Sequence, residues 1–111
     1  MAQYSTVLDG VFAALADPTR RAVVRRLGQG PASVGDLAHD APMTLPSFMK
    51  HVRVLESHGL IRTVKSGRVR TCELNREQFA LVEDWLAEQR RVWADRTGRL
   101  EHFVTRQEET P

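Results

Sequence analysis

The sequence predicts a mainly α domain with one β-hairpin, and three observations predict it. Apolar residues recur three and four positions apart along most of the chain, the period of an amphipathic helix. Good capping residues and Gly/Pro breakers fall in the gaps between those stretches. One pair of β-rich runs flanks the turn signal Ser66-Gly67. With 111 residues, no internal repeat and no low-complexity linker, the chain is expected to form a single domain over residues 1–111.

The first helix is expected over Ser5 to Ala16, where Leu8, Val11, Phe12 and Leu15 form one stripe. Asp17-Pro18 stops it and starts the next, since Asp17 is a good N-cap and Pro18 suits the first helical position. The second helix runs to about Leu27, with Ala22, Val23 and Leu27 inward and Arg20, Arg21, Arg25 and Arg26 mostly outward; Gly28-Gln29-Gly30-Pro31 ends it. Ser33 opens a short third helix with Asp36 three residues on, and Val34, Leu37 and Ala38 form its apolar side. Asp40-Ala41-Pro42-Met43 has the length that joins two packed helices.

Thr44 caps a fourth helix with Pro46 in its first turn. Phe48, Val52 and Leu55 should face the core, which leaves Ser47, Lys50, His51 and Arg53 off it. The helix ends at His58-Gly59, where Gly59 suits the left-handed terminal position. Leu60 to Lys65 and Val69 to Leu74 form the hairpin, with Arg68 at or beside its tip. Asn75 is expected to cap a long final helix, with Gln78 completing a capping box. On that helix Phe79, Val82, Leu86, Gln89, Trp93, Arg96, Leu100 and Phe103 make a near-heptad stripe, longer than so small a domain needs for its own core. The stripe, with Trp85 and Trp93 nearby, predicts burial against a second chain, and Gly98 weakens the helix locally.

Composition is that of an ordinary globular chain, with 41% hydrophobic and 27% charged residues. No apolar run approaches a membrane span, and Met1-Ala2-Gln3-Tyr4 lacks the basic-then-apolar pattern of a signal peptide. Cys72 has no second cysteine to pair with, which fits a reducing compartment; a cytoplasmic address is expected. The net charge is only +2, but Lys50, Arg53, Arg62, Lys65, Arg68 and Arg70 cluster in one stretch whose single acid is Glu56. From Arg76 onward acids outnumber bases. A local basic patch on a small domain is the footprint of a phosphate-backbone binder.

The order of elements gives that patch a mechanism. A short helix, a tight turn, a capped helix with polar outward positions and then a basic hairpin is the order of a winged helix-turn-helix. The fourth helix can enter the major groove, where bases display a full donor and acceptor code. The hairpin can reach neighbouring backbone with its arginines, and free N–H groups in the first turn of the fourth helix favour phosphate. Double-stranded DNA is therefore the expected partner, with no membrane.

Two stretches also carry a family resemblance. Ala13-Ala14-Leu15-Ala16-Asp17-Pro18-Thr19-Arg20-Arg21 resembles the signature of ArsR-type transcription regulators. Leu45 to Glu56, continuing through Gly59-Leu60-Ile61, resembles that family's recognition helix and its exit, and Gly67-Arg68-Val69 its wing turn. The resemblance covers roughly residues 8–104. It implies a homodimer held by the first and last helices, binding to an imperfect inverted repeat, and repression released by an effector. The metal-sensing branch carries a Cys-x-Cys pair where this chain reads Val34-Gly35-Asp36. Another branch takes Asp and His ligands from the last helix, where this chain has His102 with Asp95 and Glu101 near it. The resemblance is therefore closer to the branch without metal ligands; no cofactor is expected, and the effector is an unidentified small molecule.

Ser47, Lys50, His51, Arg53, Arg68 and Arg70 are the candidate DNA-binding residues. His51 has the alternative of hydrogen bonding inside the motif, and Arg62 and Lys65 are weaker candidates. Arg20 and Arg21 are expected to cap or pair within the fold. Leu8, Val11, Phe12, Leu86, Trp93, Leu100 and Phe103 are the candidate dimer interface. Cys72 shares a strand face with Leu74, which predicts a buried, inert thiol. His39, His51, His58 and His102 show no ligand spacing, so no metal site is expected. The competing reading is a winged-helix module that docks on another protein without specific DNA binding, against which the basic cluster argues. No catalytic constellation stands out, and an enzyme is not expected.

Overall fold

The protein is described by a computed structural model that covers the backbone of residues 2–109 and the side chains of residues 6–96. Four helices precede the hairpin: α1 (Ala2–Leu15), α2 (Pro18–Leu27), α3 (Val34–His39) and α4 (Leu45–Ser57). A two-residue strand, β1 (Ala32–Ser33), lies between α2 and α3; β2 (Ile61–Ser66), β3 (Val69–Leu74) and the helix α5 (Arg76–Glu109) complete the chain. The fold is a winged helix-turn-helix, mainly helical with a three-stranded antiparallel sheet in the order β1-β3-β2. Its residues cluster into two compact units, Met1–Phe79 and Ala80–Pro111.

The caps fall where the residue types place them. Asp17 accepts the Arg20 N–H at 3.0 Å, Ser33 accepts that of Asp36 at 3.0 Å and Thr44 accepts that of Ser47 at 3.3 Å. Each satisfies one N–H that its helix cannot bond internally. α4 ends at His58, and Gly59 follows at φ +74°, a backbone geometry a side chain disfavours. The hairpin turns through Gly67 at φ +63° and Arg68, a two-residue loop whose first position calls for glycine. α5 runs unbroken through Gly98 to Glu109.

The core of the first unit is built from Val11, Val23, Leu27, Phe48, Leu55, Leu60 and Ile61, all nearly or wholly removed from water. Phe48, Val52 and Leu55 anchor α4 by one face, each contributing on the order of 2 kcal/mol by burial. That anchoring fixes which side of α4 is left outward.

Two details differ from the sequence reading. β1 is an additional strand, with Ala32 opposite Cys72 and Ser33 opposite Thr71. Two residues carry no periodicity and Ala32 has little β preference, so only the pairing with β3 makes them a strand. Asn75 and Gln78 do not form a capping box. Asn75 Nδ2 donates to the Gly59 carbonyl at 2.8 Å, and Gln78 Nε2 donates to the His58 carbonyl at 2.9 Å. Both amides are drawn to the carbonyls that the end of α4 leaves unpaired.

Candidate nucleic-acid interface

The outward side of α4 presents Ser47, Lys50 and Arg53, all exposed. Thr44 organises the first turn, its hydroxyl accepting the Ser47 N–H and donating to Ser47 Oγ at 3.1 Å. Lys50 and Arg53 make no hydrogen bond or ion pair among the described residues.

His51 is half-buried and is drawn toward the α1–α2 joint. Its Nδ1 lies 3.1 Å from Arg20 Nη1 and 3.6 Å from Asp17 Oδ2. A nitrogen facing a guanidinium N–H must be the acceptor, which places the ring proton of neutral His51 on Nε2. Arg20 also closes the end of α1, with Nε donating to Ala14 O at 2.6 Å and Nη2 to Ala13 O at 3.2 Å. Arg21 donates to Leu15 O at 2.9 Å. The Asp17 carboxyl is held below its usual range, first by the Arg20 N–H it accepts, against the opposing effect of burial, and then by the charge of the His51 ring when it is protonated and by that of Arg20. The segment Asp17-Pro18-Thr19-Arg20-Arg21 thus caps one helix at its start and another at its end, and it steadies α4 through His51.

In an antiparallel pair, directly opposed residues share a face. Ile61↔Leu74, Thr63↔Cys72 and Lys65↔Arg70 therefore lie on one face of the wing, the face that is buried at its base. Arg62↔Glu73, Val64↔Thr71 and Ser66↔Val69 lie on the other. Arg62 is used inside the fold, opposite Glu73 and donating to Asn75 Oδ1 at 3.0 Å. Lys65 and Arg68 are exposed and make no hydrogen bond or ion pair among the described residues. Arg70 Nη1 donates to Thr63 Oγ1 at 2.9 Å, and the Thr63 hydroxyl donates to Glu56 Oε2 at the end of α4.

The structure thus brings Ser47, Lys50 and Arg53 together on α4, and Arg68 and Arg70 on the wing. It ties His51 into the fold. Sequence reasoning missed Glu56 and Thr63; the signal for Glu56 was that it is the lone acid in the basic stretch. Cys72 is fully buried, and its thiol is pushed up first by burial, then by the Glu56 charge, with Arg70 opposing.

The candidate dimer residues divide. Leu8 and Val11 are only 6% and 0% exposed, buried within the chain itself, whereas Phe12 and Leu86 are each 39% exposed and Trp93 is 59% exposed. Leu100 and Phe103 lie outside the residues whose side chains are described, as does His102. Among the described residues no group of three or more His, Cys, Asp or Glu could hold a metal ion, and no helix is long and apolar enough to cross a membrane.

Comparison with known proteins places this geometry. The family profile described as "Helix-turn-helix domain" matches residues 15–64. The HTH-type transcriptional regulator Rv2034 of Mycobacterium tuberculosis is 42% identical over 67 residues, which cover 60% of this chain and 63% of that protein. The chain thus spans under two thirds of that relative's length. The transcriptional repressor SdpR of Bacillus subtilis is 31% identical over 79 residues, 71% of this chain and 88% of that protein. Among solved structures, the ArsR family transcriptional regulator RHA00566 is 60% identical, with a TM-score of 0.79 covering 84% of this chain and 96% of that one.

Proposed function

The chain belongs to the ArsR family of helix-turn-helix DNA-binding transcription regulators, a family of regulators and not of enzymes, and we propose that it acts as a homodimeric repressor of its own or a nearby promoter. The observation that carries the DNA-contact reading is where exposed cations gather: Lys50 and Arg53 on α4 and Lys65 and Arg68 on the wing, in a stretch whose single acid is Glu56, none of the four with a hydrogen bond or ion pair among the described residues. Exposed cations normally meet water only; set along a recognition helix and a wing, they match a duplex backbone. In this reading Ser47, Lys50 and Arg53 meet the major groove and adjoining phosphates, Arg68 and Arg70 meet backbone beside it, and His51 positions α4 through Arg20.

A symmetric dimer would set two recognition helices about one DNA turn apart on an inverted repeat. Phe12 on α1, and Leu86 and Trp93 on α5, each supply exposed apolar surface for it, whereas Leu8 and Val11 are buried within the chain. The similarity to SdpR, a transcriptional repressor, supports the repressor role. A small effector would be felt at α4 from the cleft of about 300 Å³ that Val23, Leu37 and Phe48 line.

The test is a salt series of binding to DNA upstream of the protein's own gene, set against random duplex. Tight, steeply salt-dependent binding with a protected inverted repeat is expected. Equal weak binding to both would transfer the proposal to another promoter or to a protein partner.

A further inference from the structure

Resting on the DNA-binding reading, we infer that Thr63 is a positioning residue which, with Glu56, presets Arg70 beside Lys65, so that the two cations clamp one backbone phosphate at the wing.

The register makes Lys65 and Arg70 direct cross-strand neighbours on the same face of the hairpin. Like charges in that arrangement repel and weaken the hairpin unless an anion sits between them. A fold has no use for such a pair on its own, and the opposite pairing is present three positions along, where Arg62 faces Glu73. The wing tip is exposed on both strands, so both cations meet solvent.

The second observation is the relay. Arg70 Nη1 donates to Thr63 Oγ1, and the same hydroxyl donates to Glu56 Oε2. Glu56 belongs to α4, and Thr63 and Arg70 belong to β2 and β3. A hydroxyl has one proton and two lone pairs, so Thr63 can take a guanidinium N–H and give its own proton to the carboxylate at once. The relay engages one Arg70 nitrogen, and the other donors of the fork have no partner among the described residues. It orients the guanidinium before DNA arrives, which removes side-chain ordering from the cost of binding. The Glu56 carboxylate holds Arg70 through the Thr63 hydroxyl.

The test uses the full chain, a duplex of random sequence and a salt series, because a phosphate contact carries no sequence preference. Arg70→Ala should reduce the slope of log affinity against log salt by about one and cost roughly tenfold in affinity. Thr63→Val keeps the shape and strand preference of the side chain while deleting the hydroxyl, so the fold is kept. It should reduce the slope by the same amount, and the double variant should fall no further than Arg70→Ala alone. Thr63→Ser, which retains the hydroxyl, should restore the parent slope. A parent slope in Thr63→Val, a fully additive double variant, or no rescue by Thr63→Ser would each overturn the inference. A parent protein that binds no duplex even at low salt would instead overturn the DNA-binding reading beneath it.

Discussion

Asp17 shows what a single residue contributes and how much of that can be read in advance. Its N-cap role follows from the local string Asp17-Pro18, and the structure places its carboxylate on the Arg20 N–H. Its contact with His51 does not follow, because helix rules reach only to neighbours a turn away and Asp17 and His51 are 34 residues apart. A carboxyl held below its ordinary value of 3.8 adds stability that is present above that value and lost as pH falls through the lower, folded one. Asp17→Asn retains an N-cap but cannot ionise. It should cost a few tenths to about 1 kcal/mol at neutral pH, and the gap from the parent should close as pH drops below 3.8, read by urea unfolding at a series of pH values. A gap that persists in acid would assign Asp17 no charge-dependent role. Gly10 is the opposite case, a residue whose need is invisible in sequence. A Cβ there would lie 2.5 Å from His58 Nδ1 and 2.9 Å from Cε1. Gly10→Ala should therefore destabilise the protein by about 1–3 kcal/mol despite alanine's better helix propensity. A stabilised variant would mean that the His58 ring swings clear.

At the scale of elements, α4 was legible because three independent signals agree on it. Thr44 caps it, Phe48, Val52 and Leu55 set its buried side, and Gly59 ends it. The wing was legible in outline from its β-rich runs and Gly67, but its faces needed the register, which decides that Lys65 and Arg70 share one side and Arg62 lies on the other. β1 was not legible, since its two residues are a strand only through Cys72 and Thr71. The start of α5 misled for a related reason. Asn75 and Gln78 have the types and spacing of a capping box, yet nearby carbonyls of His58 and Gly59 compete for their amides and hold them. Arg68 occupies the turn of the wing and makes no hydrogen bond or ion pair among the described residues. Arg68→Ala should thus leave thermal stability within about 0.5 kcal/mol of the parent. It should also flatten the salt dependence of duplex binding by about one unit without changing sequence preference. A lost preference would make Arg68 a base reader, and an unchanged slope would remove it from the interface.

The whole molecule leaves apolar surface in water that a single chain does not explain. On α5, Leu86, Val92 and Trp93 are 39%, 49% and 59% exposed, and on α1 Val7 and Phe12 are 40% and 39% exposed. Single exposed apolar residues are ordinary, whereas a large tryptophan beside further apolar residues on one helix is the kind of surface that marks an interface. The sequence already signalled this through the length of the stripe, but not which residues on α1 stay outward. Leu8 and Val11 keep the same period as Phe12, and period alone cannot separate a helix's inner edge from its outer one. If the protein associates as a twofold dimer, each substitution acts twice, once in each copy. Burying the exposed part of Trp93 is worth roughly 2 kcal/mol per copy, so Trp93→Ala should weaken self-association by at least about a hundredfold. Sedimentation at several concentrations reads this directly, with a dimeric parent and a variant that dissociates within the same range. Binding to an inverted repeat should then become steeper in protein concentration for the variant, because association and DNA binding are linked by mass action. A parent that sediments as a monomer at micromolar concentration would remove both the dimer and the paired half-sites. A variant that stays dimeric would move the contact away from Trp93 and toward the Val7–Phe12 side of α1.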